Sequence, residues 1–101
     1  MAVEQFWNEA LESGKFGIFI DAKMHLIPRS DVPSFLSWVS GKAIVLGVEG
    51  FKYEDGVLEP LMDCIIDYSN GDPSKSIDSI KSIIDSDSAW NNVDFLEFVL
   101  K

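Results

Sequence analysis

The chain has 101 residues, 47% hydrophobic and 12% aromatic, and a formal net charge of −9 from 17 acids and 8 bases. That is enough apolar mass for one core in a single domain spanning residues 1–101, and nothing in the composition suggests disorder. The negative charge belongs to the second half, since residues 1–48 hold five acids against four bases and residues 49–101 hold twelve against four; nucleic acid and anionic membrane are therefore poor partners, because a phosphate-binding surface needs clustered lysine and arginine, and a basic protein is a good one.

Val3, Phe6, Trp7, Ala10 and Leu11 recur at helical spacing, with Glu4, Glu9 and Glu12 opposite, which predicts an amphipathic helix over residues 2–13 stopped by Gly14. Phe16 to Asp21 is rich in β-formers and is followed, after Ala22-Lys23, by a second extended run from Met24 to Pro28. These two runs predict a small hairpin. Ser30 or Asp31 can cap a short middle helix with Pro33 in its first turn, an apolar stripe of Val32, Phe35, Leu36 and Val39, and Gly41 at its end.

The stretch from Ala43 to Tyr68 organises the rest. Two strand-like runs, 43–54 and 57–68, meet at Asp55-Gly56, among the stronger short-range hairpin signals. A two-residue turn there pairs Glu54 with Val57, and the unbroken register then puts Tyr53/Leu58, Phe51/Pro60, Glu49/Met62, Gly47/Cys64 and Val45/Ile66 on one face. That face is apolar apart from Glu49, so it is the expected core side. The opposite face pairs Lys52 with Glu59 and lines Glu59, Asp63 and Asp67 along one strand. A bulge at Gly47, Gly50 or Pro60 would swap the faces beyond it.

Asn70 to Pro73 is a turn that starts a helix over about 73–86, with Asp72 as cap and Pro73 as first residue. Ile77, Ile80, Ile83 and Ile84 give it a buried stripe against the sheet, whereas Asp85 and Asp87 place negative charge at its already negative C-terminal end. Trp90-Asn91-Asn92 reads as a loop, and Val93 to Leu100 as a last strand beside the central pair. The fold class is thus α+β: an antiparallel sheet built on the 43–54/57–68 hairpin, with the N-terminal, middle and 73–86 helices packed on it.

No catalytic constellation is visible. His25 has no motif around it, and Cys64, the single cysteine, points into the core, where a thiol is a small hydrophobe; alone it can form neither an internal disulfide nor a metal cluster. Asp85-Ser86-Asp87 fails as a calcium loop, with Trp90 and Leu96 at the positions that need glycine and glutamate. Asp63 and Asp67, four residues apart in one strand, would lie about 13 Å from each other, too far for a glycosidase pair. No enzyme activity, cofactor or metal is therefore expected. What remains is a surface: Glu59, Asp63 and Asp67 with the apolar residues between them, unless the 74–86 helix covers that side, and a second patch at Asp85, Asp87 and Trp90, where Trp90 is either an apolar anchor or part of the core. With no apolar run long enough to span a membrane and no basic, apolar start of a secretory signal, the expected location is the cytoplasm.

The run Val45-Leu-Gly-Val-Glu-Gly-Phe51, the Asp55-Gly56 turn, Pro60 and Asp63-Cys-Ile-Ile-Asp67-Tyr-Ser69, with His25-Leu-Ile-Pro-Arg29-Ser-Asp31 upstream, resembles a pattern in small acidic immunity proteins of bacterial polymorphic toxin and contact-dependent growth inhibition systems. The resemblance spans about residues 16–69. It implies a non-catalytic cytoplasmic protein that binds and blocks a cognate secreted toxin domain, often a nuclease with a basic cleft. It supplies no interface. The residues expected to carry binding are the acids Glu59, Asp63, Asp67, Asp85 and Asp87, with Trp90 as an apolar anchor unless it belongs to the core; the competing expectation is an acidic adaptor or regulatory subunit for a basic host protein.

Overall fold

The Asp55-Gly56 turn forms as predicted, with both residues at positive φ (53° and 79°), the mirror-image turn whose twist suits the right-handed twist of the flanking strands. In the computed structural model, which describes residues 3–101, the turn joins β3 (Val45–Glu54) to β4 (Val57–Asp67). The other elements are α1 (Val3–Ser13), β1 (Phe19–Asp21), β2 (Met24–Pro28), α2 (Val32–Val39), α3 (Ser76–Ser86) and β5 (Phe95–Leu100), with short 3-10 turns at residues 29–31, 73–75 and 88–92. The expected helix start at Ala2 falls outside the described residues.

The five strands form one antiparallel sheet in the order β1-β2-β5-β3-β4. The last strand lies in the middle, between the two hairpins. Ala22 and Lys23 close the first hairpin at φ 48° and 72°, the same kind of turn made without glycine.

All three helices lie on one side. Phe6, Trp7 and Ala10 of α1, Phe35, Leu36 and Val39 of α2, and Ile80 and Ile84 of α3 share one core with Ile27, Val48, Cys64, Leu96 and Phe98 of the sheet. Aromatic rings dominate the α1–α2 end: Phe6 meets Trp7 edge-on at 5.2 Å and Phe35 at 6.5 Å, and Phe35 lies 4.6 Å from Phe98. Such pairs contribute about 0.5–1.5 kcal/mol each beyond their burial. His25, half-buried, stacks on Trp7 at 4.5 Å with the rings 7° from parallel.

The predicted register holds only near the turn. Glu54/Val57 through Phe51/Pro60 pair as expected, but the next pair is Glu49/Ile65, then Val48/Ile66 and Gly47/Asp67. Residues 61–64 therefore bow out opposite Gly50. The reason is steric: a Cβ at Gly50 would lie 2.9 Å from the Cys64 Cβ and 3.2 Å from the Trp90 ring, so the absent side chain is the space those two residues occupy. A second irregularity, where β3 meets β5 between Val45 and Gly47, lets Val45 and Val48 both reach the core. The faces are consequently reassigned. Tyr53, Phe51, Glu49 and Gly47, expected on the core side, point away from the helices and Val48 points toward them, while Val45, Cys64 and Ile66 face the helices as expected.

Three local expectations also change. Neither Ser30 nor Asp31 caps α2 with its side chain; Asp31 Oδ2 instead accepts the Gly17 N–H at 2.7 Å, tying the β1 approach to α2. Asp72 does cap, accepting the Ser74 N–H at 3.0 Å, but it opens a 3-10 turn and the α-helix proper begins at Ser76. Ile83 is exposed, so the buried stripe of α3 is Ile80 and Ile84 with Ile77 at its margin.

Candidate functional site

A sheet with helices on one side only leaves its other face uncovered. Strand alternation and the observed registers place one row across all five strands there: Phe19, Leu26, Glu97, Glu49 and Ile65. The next row toward the β3–β4 turn is Pro28, Phe95, Phe51 and Pro60, and the row on the other side is Val99, Gly47 and Asp67. Phe19, Tyr53 and Phe95 cluster at 5.2 to 6.0 Å between ring centroids. Leu26 and Phe51 are buried beneath these neighbours, while Ile65 is 49% and Val99 53% exposed. Gly47, Glu49, Ile65, Asp67 and Val99 wall a shallow hollow.

This open face is both apolar and anionic. Its paired positions carry Asp21, Glu49, Asp67 and Glu97 and no lysine or arginine. Glu49 and Glu97 are direct cross-strand partners near its centre, an arrangement that like charges make unfavourable. Partial burial, with the Glu49 charge added to it, pushes the Glu97 carboxyl above the ordinary value of 4.5. Asp67, at the rim, is held below its usual range because it accepts hydrogen bonds from the Ser69 hydroxyl at 2.6 Å and the Ser69 N–H at 3.0 Å.

The acids expected from the sequence do not form one patch. Asp67 joins the open face through the register shift. Asp63 lies in the bowed segment and Asp87 at the start of the 88–92 turn, where it accepts the Ala89 N–H at 3.0 Å; both act on the Cys64 thiol between them, which burial first and these two charges second push upward. Cys64 donates to the Ala89 carbonyl at 3.4 Å and is buried, an inert structural thiol. Beside it Met62 is 77% exposed, so Asp63 and Asp87 belong to a second, smaller acidic and apolar patch. Asp85 is exposed on α3, and Glu59 sits opposite Lys52 near the β3–β4 turn on the helix side. Lys52 makes its ion pair with Asp94, at 3.9 Å. Trp90 is 1% exposed and sits in the core against Gly50, so it offers no anchor to a partner.

Glu49 and Glu97 were not among the expected binding residues. Glu97 is the lone charge of β5 and Glu49 the lone charge in the otherwise uncharged run from Ala43 to Phe51, and that oddity is the sequence signal that marks them. Among the described residues no three His, Cys, Asp or Glu side chains gather as a metal site, and no helix is long and apolar enough to cross a membrane.

No family model, curated protein or solved structure matches the chain.

Proposed function

We propose that this chain is a cytoplasmic immunity protein, a non-catalytic inhibitor that binds a cognate secreted toxin domain of a polymorphic toxin or contact-dependent growth inhibition system. The observation that carries the reading is the uncovered side of the sheet, where exposed apolar side chains surround four carboxylates with no base among their paired neighbours. A nuclease must hold phosphate in a cleft of lysines and arginines, and an acidic protein occupies such a cleft in the substrate's place. Long-range attraction then sets how fast the two meet, and desolvated contacts set how long they stay together. The resemblance of residues 16–69 to acidic immunity proteins supports the same role.

The test is co-expression. The variable C-terminal domain of a large secreted protein encoded beside this chain should arrest growth when produced alone and lose that effect when this chain is produced with it. A domain that stays equally toxic in its presence removes the reading.

A further inference from the structure

The pair at the centre of the open face calls for a counterion that none of the face's paired positions supplies. Glu49 and Glu97 lie directly across the ladder, bracketed by Val99 and Phe95 along β5 and by Ile65 and Leu26 across the row. Carboxylates on directly opposed strand positions spring from Cβ atoms about 4.5–5.5 Å apart, a spacing that a planar, multi-donor guanidinium bridges better than the compact ammonium of lysine. We propose that this face is the surface that receives the protein partner, and that it takes an arginine side chain, with the guanidinium between Glu49 and Glu97 and the arginine's apolar neighbours seated on Ile65, Val99 and Phe95. The inference rests on the reading of the chain as a binder of a basic protein and names the place and chemistry of contact.

Three other occupants fit worse. A second copy packed face to face would set Asp21, Glu49, Asp67 and Glu97 against the same residues, bringing carboxylates together with no base among the paired positions to separate them. Phosphate backbones and anionic lipid headgroups are repelled by the same charges. A metal ion would find two carboxylates and, among the described residues, no third ligand. An arginine among apolar side chains, by contrast, is what a desolvated interface centre is enriched in.

The probe is the blocked peptide N-acetyl-Leu-Arg-Leu-amide, compared with the same peptide carrying citrulline, which keeps the shape and removes the charge. Titrated into the isotope-labelled protein at concentrations on the order of millimolar, the arginine peptide should shift the amide resonances of Leu26, Glu49, Ile65, Glu97 and Val99 together and saturably. The citrulline peptide should bind roughly tenfold more weakly or not at all, as should the arginine peptide to Glu49→Gln/Glu97→Gln, while Asp85→Asn leaves binding unchanged. Equal response to the two peptides on the unaltered protein, or shifts centred on Asp63, Asp85 or Asp87, overturns the assignment without relying on any variant's folding. The growth assay separates this inference from the proposed function: protection that persists in a folded Glu49→Lys/Glu97→Lys protein overturns the surface and leaves the function standing. Arginine-selective binding at the pair by a chain that relieves no toxicity supports the surface and removes the function.

Discussion

Glu97 sets the pH behaviour of the open face. Its carboxyl holds a proton more tightly in the folded protein than in the unfolded chain, so its ionisation costs stability as pH rises through and above the ordinary carboxylate value of 4.5. Glu97→Gln, which fixes the neutral form, should raise stability at pH 7 by a few tenths up to ~1 kcal/mol, and urea denaturation should show that advantage shrinking as the pH is lowered toward 4.5. His25 works in the opposite sense. Burial against Trp7 depresses it below the usual imidazole value of 6.5, so the stabilisation present when it is neutral is lost as pH falls through 6.5 and the imidazole must charge. Cys64 offers a third check, because its buried thiol, pushed up by burial and by Asp63 and Asp87, should react with an aromatic disulfide reagent only on unfolding, giving a labelling rate that rises with denaturant.

At the scale of elements, the displaced register of β3 and β4 is what creates the candidate surface, and it depends on one missing side chain. Gly50→Ala would drive a methyl group to 2.9 Å from the Cys64 Cβ and 2.7 Å from Val93 Cγ2; overpacking of this kind costs about 1–3 kcal/mol, read as a lower urea midpoint at constant slope. The first hairpin predicts the reverse effect. Lys23 sits at φ 72°, a region glycine occupies without strain, so Lys23→Gly should stabilise by up to ~1 kcal/mol in the same measurement. These two places mark where the sequence was legible and where it was not. Turn residues, caps and stripes act over a few residues, which is why Asp55-Gly56, Asp72, and Ile80 with Ile84 read correctly. Asp31 serves Gly17, fourteen residues back, and no local rule reaches that far. The bulge site could be named, but both faces of β3 and β4 carry apolar residues, so hydrophobicity alone chose for β3 between Gly47 and Tyr53 the face that the helices leave open. Trp90 filling the void at Gly50 decided it, and with that Asp67 moved to the open side while Glu59 stayed on the other.

For the whole molecule, charge is the property that acts at a distance. With twelve acids against four bases in residues 49–101, association with the basic partner proposed above should be fast at low ionic strength and slow steeply as salt shortens the screening length to about 8–10 Å. Reversing Asp63 and Asp67 together should lower the association rate constant and flatten its salt dependence in stopped-flow mixing, and unchanged kinetics would take those two out of the steering field. Chain order adds a consequence of a different kind. β5 is the strand that hydrogen-bonds to both the β1–β2 and the β3–β4 hairpin, yet it occupies residues 95–100 and is synthesised after both. While a ribosome still holds that segment, each hairpin has emerged with one long flank unmet, and the nascent polypeptide cannot close its architecture. Closure of the sheet thereby waits for a keystone strand that follows, along the chain, both of the hairpins it joins.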